Sequence, residues 1–165
     1  MDSWKCVLPF PPSINRLYEN ARRTTAQGKV YNAKMLSAEG VRFRELVGAA
    51  VRRGHRAPPR LAGRLALLVY LLPPDRMADG RRNSNRRDVG NVDKALEDAL
   101  TKAGVILDDS QFDDVRILRG PKTQGGACLV AISAFDPAGA AADAGAVFGS
   151  ELEGLRSLDH GELPF

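Results

Sequence analysis

Between Arg86 and Gln111 the chain reads RRDVGNVDKALEDALTKAGVILDDSQ, and this stretch gathers the residue types that could do chemistry. Asp88 follows Arg86 and Arg87, Lys94 comes next, and the pair Asp108 and Asp109 closes the run. Two more arginines, Arg81 and Arg82, precede it. Carboxylates that converge repel one another unless a cation lies between them, so a shared point among these acids calls for a divalent metal. Oxygen ligands with no nearby histidine or cysteine favour Mg²⁺ or Mn²⁺ over zinc. Such an ion beside a lysine and arginines suits phosphate esters, because the metal activates water and the cations stabilise charge in the transition state. Each residue also has a plainer use: Asp88 as a helix cap, Asp108 and Asp109 as turn residues, Lys94 as a solvated partner of Asp98.

These residues need a scaffold, and the spacing supplies one. Val92, Ala95, Leu96, Ala99, Leu100 and Ala103 recur at helical offsets, which predicts a helix over residues 91–103. Asp88 or Asn91 can cap its start, and Gly104 stands where a left-handed C-terminal cap belongs. Asn91, Lys94, Asp98 and Thr101 share another face. Val105, Ile106 and Leu107 are expected to turn inward and return the chain beside the helix start, bringing Asp109 towards Asp88.

The pattern Asp88-x-x-Asn91-x-x-Lys94, the step Asp98-Ala99-Leu100 and the motif Asp108-Asp109-x-Gln111 resemble the core signature of the RusA family of Holliday junction resolvases. The opening Leu8-Pro9-Phe10-Pro11-Pro12-Ser13-x-Asn15-Arg16 is similar to that family's N-terminal strand and turn. The likeness spans roughly residues 4–135 in the same order. It implies a small, homodimeric, Mg²⁺-dependent endonuclease of bacteria or phages acting on four-way DNA junctions in the cytoplasm. Asp88, Lys94 and Asp109 would carry catalysis, Asp88 and Asp109 would hold the metal with Asp108 in support, and Arg87 would grip the scissile phosphate. One position departs from the pattern: Gly90 stands where the family places a second metal-binding aspartate. Either fewer carboxylates hold the metal, or Asp93, Asp108 or Asp113 substitutes, or the protein binds junctions with weakened cleavage. An RNA-binding or recombination-accessory role is the remaining rival.

Composition agrees with one globular domain and a tail. In a chain of 165 residues, 44% are hydrophobic and 6% aromatic, enough for an aliphatic core. The net charge of +4 conceals a division: residues 1–135 carry 23 Lys and Arg against 14 Asp and Glu, net +9, whereas residues 136–165 carry one against six, net −5. A basic body points to a polyanionic partner. Cys6 and Cys128 are far apart with no Cys-x-x-Cys pair, and His55 and His160 fall in loop and tail, which argues against zinc and for free thiols in a reducing cytoplasm. No apolar run reaches membrane length, and no signal peptide is evident.

Elsewhere, Trp4–Leu8 reads as a strand ended by prolines. Residues 16–32 read as a mobile loop or hairpin whose Arg22, Arg23 and Lys29 could pair with phosphates and whose Tyr18 and Tyr31 could stack on bases; Asn15 and Arg16 at its root join the expected DNA contacts. Residues 37–53 form a helix capped by Ser37, with Arg42, Arg44, Arg52 and Arg53 as solvated charges. LALLVYLL, residues 65–72, predicts a central strand buried on both faces. Residues 75–87 are expected to be an exposed flexible loop feeding the acidic site. Val115–Arg119 and Ala127–Phe135 read as strands joined by the turn-forming run Pro121–Gly126. The expected fold is α+β, a small mixed sheet with the helices 37–53 and 91–103 packed on it. From Asp136 onward the tail reads as a disordered linker, with a transient helix at residues 151–158. Its end, Glu162-Leu163-Pro164-Phe165, resembles the acidic tip by which bacterial single-strand DNA-binding proteins recruit partner proteins.

Overall fold

A computed structural model describes residues 3–54, 57–76, 79–83, 89–143 and 146. The chain runs β1 (Trp4–Leu8), a helical turn α1 (Ile14–Leu17), β2 (Tyr18–Thr24), β3 (Val30–Leu36), α2 (Ala38–Gly54) and β4 (Leu65–Leu72). A 3₁₀ turn at Val89–Asn91 then leads into α3 (Asp93–Lys102), and a second at Asp109–Gln111 leads into β5 (Phe112–Arg119) and β6 (Ala127–Ala134). The α+β expectation is met. One four-stranded mixed sheet has the order β1-β6-β4-β5, and β2 and β3 form a separate two-stranded ribbon.

The helices form where local sequence asks for them. Ser37 caps α2 as expected, its Oγ accepting from Gly40 N at 3.0 Å while its hydroxyl donates to Arg16 O at 2.6 Å. At the end of α3, Gly104 takes φ +74°, and Val105 N returns to Leu100 O at 3.0 Å, the bond that closes a left-handed helix end. The start of α3 differs from expectation. Asn91 lies in the 3₁₀ turn, the capping residue is Val92, and no side chain caps it; Asp93, already inside the helix, accepts from Lys94 N at 2.7 Å.

The sheet corrects two sequence readings. The run Pro121–Gly126 does not close a hairpin: β5 pairs with β4 in parallel and β6 pairs with β4 antiparallel, so the connection passes over the end of β4. Turn-forming residues fix local reversal, whereas strand neighbours are chosen by which apolar edges remain to be covered. β4 is indeed central, but only one of its faces is buried. Leu65, Leu67, Val69 and Leu71 join Trp4, Val130 and Ile132 beneath α2 and α3, in a core with Val47, Val51, Leu96 and Leu100. The opposite side keeps Leu68 and Tyr70 exposed, because both helices pack on the same face. Register aligns Val7, Leu129, Tyr70 and Leu118 as one exposed apolar row across all four strands.

The loop after β4 is anchored at its root. Arg76 and Arg82 form an antiparallel bridge, and Asn83, only 5% exposed, donates from N to Asp75 O and from Nδ2 to Pro74 O, each at 2.8 Å. Composition suggested a free loop throughout; burial of Asn83 takes these groups from water, and the bonds to Asp75 and Pro74 satisfy them. Ser84–Asp88 lie outside the described residues.

Residues 1–134 and 135–165 form two units. In the second, residues 137–143 are helical, whereas a linker was expected. Asp136 accepts from Ala138 N at 3.0 Å as an N-cap, Pro137 begins the helix, and alanines continue it, so local capping and propensity override the low-complexity look. Residues 147–165, including the expected helix at 151–158 and the tip Glu162-Leu163-Pro164-Phe165, lie outside the described residues. No described helix is long and apolar enough to cross a membrane.

Candidate active site

The first turn of α3 and the chain leaving its C-terminal end converge on Lys94. Its Nζ pairs with Asp98 Oδ1 at 3.0 Å, one turn along the same helix, and makes a close ion pair with Asp109 Oδ2. A lysine in the first helical turn with an aspartate one turn later opposes the helix dipole, so helix stability does not account for the pair. The two carboxylates hold the Lys94 ammonium far above its usual pKa, Asp109 contributing most and Asp98 next.

Asp98 is the centre of a wider network that spacing alone did not reveal. Besides Lys94, it accepts from the Tyr18 hydroxyl at 2.7 Å and from Arg44 Nη2 at 3.1 Å. Burial by itself would raise its pKa, but the bonds from Tyr18 and Lys94 and the positive charges nearby outweigh that and hold it below the ordinary range. Arg44, expected as a solvated charge, is instead drawn in because α2 packs on α3. Tyr18, expected to stack on bases, has its hydroxyl on Asp98 and its ring beneath Lys34, whose Nζ is 4.6 Å from the ring centroid. The bond raises the Tyr18 pKa, with desolvation second.

Glu97 also belongs here and was not singled out from sequence. It is half-buried, and burial first, then Asp93 and Asp109, push its carboxyl upward. The only sequence signal was its place beside Asp98 on a helix bearing the lysine.

Asp109 is carried by a well-fixed turn. Asp108 caps the 3₁₀ turn, its Oδ1 accepting from Ser110 N at 3.0 Å, and Gln111 Oε1 accepts from Leu107 N at 2.7 Å and Asp108 N at 3.1 Å, a reciprocal capping box. The Ser110 bonds lower the Asp108 pKa. Gln111 Nε2 then donates to Leu61 O at 3.2 Å and Gly63 O at 3.0 Å, tying the turn to the start of β4. Val105 and Ile106 are buried as expected, but Leu107 is 63% exposed. The Leu61–Ile106 bridge fixes an extended backbone here, and alternation turns the next side chain outward.

The structure divides the remaining expected residues. Asp88, Arg86 and Arg87 lie outside the described residues, so the meeting of Asp88 with Asp109 does too. Arg81 pairs with Asp79 at 2.6 Å, and Arg82 lies with Arg76 beyond the C-terminal end of β4, while Asp109 lies near its N-terminal end, so Arg82 is not gathered at Asp109. Asn15 and Arg16 are exposed on α1, with Arg16 paired to Glu39 at 2.8 Å. Arg22 and Arg23 are exposed on β2, which pairs with β3 over seven residues, so the hairpin alternative for this segment holds. Gly90 is exposed in the 3₁₀ turn. Asp113 is paired with Arg64.

Among the described residues no group of three acids, histidines or cysteines is close enough to hold a metal. The donor chemistry nevertheless fits a hard cation. The candidate donors are carboxylate oxygens, burial and then the charges of Asp93 and Asp109 disfavour charge on Glu97, and the ammonium of Lys94 pairs with Asp109 there.

A family model described as endodeoxyribonuclease RusA matches residues 9–132. The chain is 37% identical over 126 residues to the crossover junction endodeoxyribonuclease rusA of Enterobacteria phage 82, covering 76% of this chain and 90% of the relative. The same figures hold for RusA of Escherichia coli strain K12. The corresponding protein of Enterobacteria phage HK97 is 32% identical over 136 residues, covering 82% of this chain and 98% of that one.

Proposed function

The chain belongs to the RusA family of endodeoxyribonucleases, and from that premise we propose that it is a Mg²⁺-dependent enzyme that resolves four-way DNA junctions in recombination and repair. The observation that carries the reading is Lys94 held between Asp98 and Asp109 on two elements that the fold locks together. Asp88 and Asp109 would hold Mg²⁺, or Mn²⁺ in its place, with Asp108 supporting. When bound, the ion supplies Lewis-acid stabilisation of charge on the phosphate. Asp109 and Asp98 raise the pKa of Lys94, so its ammonium would act as a positive charge for the phosphate oxygens in the transition state. Asp98, through Tyr18 and Arg44, fixes where that ammonium points. Arg87 and Arg86 would grip the phosphate next to Asp88, and Asn15, Arg16, Arg22, Arg23, Arg81 and Arg82 would contact DNA elsewhere.

Two cuts in a four-way junction of two-fold symmetry ask for two sites, and a homodimer would provide them. The apolar row Val7–Leu129–Tyr70–Leu118 supports a second copy as the cover of the open sheet face. The tip Glu162-Leu163-Pro164-Phe165 would recruit a partner protein in the host cytoplasm, and unchanged recovery of partners after deletion from Asp159 would end that idea.

A labelled mobile junction incubated with protein and Mg²⁺ tests the activity. Cleavage is expected to vanish with EDTA and with Asp109→Asn while junction binding survives. Binding without cleavage in either Mg²⁺ or Mn²⁺ would instead favour a junction-holding protein whose Gly90 marks a weakened metal site.

A further inference from the structure

We propose that the basic cavity beyond the C-terminal end of β4 is a second phosphate site, which grips a DNA strand away from the bond that is cut. The inference rests on the nuclease reading and adds a contact to it. The cavity, of about 490 Å³, is lined by Asp75, Arg76, Arg82, Asn83 and Lys122. Three cations there face one carboxylate.

The cavity is framed by fixed backbone. Pro74 bridges Thr123, Arg76 bridges Arg82, Asp75 N donates to Thr123 O at 2.9 Å, and Thr123 N donates to Pro73 O at 2.9 Å. Asn83 is the one buried polar residue among those described, and its two bonds to Asp75 and Pro74 hold the outgoing strand of the loop against the incoming one. Opposite, Gly126 at φ +72° comes so close to Pro74 that a Cβ would lie 2.8 Å from its Cδ. The cations therefore project from a built rim.

Their charge is also unmatched by acids. Arg16, Arg44, Arg64, Arg81 and Arg116 each pair with a carboxylate. Arg76 instead donates to Gly80 O at 3.0 Å and Lys122 to Asn83 O, and among the described residues neither these two nor Arg82 forms an ion pair. Two guanidinium forks and an ammonium around one opening suit the oxygens of a phosphate.

Position makes the site distinct from the cleavage cluster. Asp109 precedes Phe112, which is level with Leu65, while the cavity follows Leu72. Seven strand steps at roughly 3.3 Å separate the two ends by about 23 Å. That corresponds to about seven nucleotides of a duplex strand at about 3.4 Å each. A phosphate in the cavity is therefore not the one being cut.

The test is a salt titration of junction binding by fluorescence anisotropy in EDTA, followed by cleavage at saturating junction. The double variant Arg76→Gln/Arg82→Gln is expected to reduce the slope of log K against log salt by about 2, roughly 1 per cation removed. Lys122→Gln is expected to reduce it by about 1, and Lys122→Arg to keep it; thermal melting checks that the Asn83 contact survives. Arg53→Gln, on the last turn of α2, should leave the slope alone. An unchanged slope in the double variant, with wild-type binding intact, overturns the second site and leaves the nuclease reading standing. Calorimetric binding of inorganic phosphate that the double variant loses without any change in the DNA slope overturns DNA as the occupant. Wild-type protein that fails to bind junctions at all overturns both readings.

Discussion

The hydroxyl of Tyr18 donates to Asp98 Oδ2 at 2.7 Å across 80 residues of sequence. Tyr18 opens the β2–β3 ribbon and Asp98 lies one turn after Lys94 on α3, so the bond ties a basic arm to the centre of the candidate active site.

Because Asp98 fixes Lys94, Asp98→Asn and Tyr18→Phe are expected to lower kcat, by about tenfold or more for the first and less for the second, with junction affinity nearly unchanged. Their effects should be less than additive with Lys94→Met, since all three act through one network. Additive losses, or a matching loss of affinity, would remove Asp98 as a positioning residue.

The depressed pKa of Asp98 also has a stability signature. A carboxyl held lower in the folded state contributes stability above its unfolded pKa, near 3.9, and loses it as pH falls through the folded value. Asp98→Asn should therefore destabilise by about 1–3 kcal/mol at pH 7, a gap that closes in acid. Urea melts at pH 7 and pH 3 measure it.

Glu97 has the opposite sign. Its pKa is raised, so its contribution to stability is present below the unfolded value near 4.3 and is lost as pH rises through the folded one. Glu97→Gln is expected to raise Tm at pH 7 and to leave it unchanged below pH 4. A lower Tm at pH 7 would mean that Glu97 serves the fold in its charged form.

Gly90→Asp restores a carboxylate to the exposed turn before α3. Tighter Mn²⁺ binding by calorimetry and faster cleavage are expected. No change in either would show that this position does not reach the metal.

Leu68→Lys places a charge within the exposed apolar face of the sheet without touching the buried row beneath it. Sedimentation should show a dimer for the wild type and a monomer for the variant, with the Tm of the monomer fold preserved.

The sequence by itself determined the parts that local physics controls. Apolar spacing and Gly104 specified α3, Ser37 specified the start of α2, and the order Asp88, Lys94, Asp109 carried the family resemblance that the comparisons bear out. Tertiary structure alone decided which strands flank β4, which face of LALLVYLL stays open, and that Arg82 lies beyond one end of β4 while Asp109 lies near the other. It also brought Tyr18 and Arg44 to Asp98 from two other elements. The physical reason is range: caps and helical periods act over a few residues and leave a mark in spacing. Strand partnership and the pairing of a buried carboxylate depend on which distant surfaces the finished core leaves to be covered.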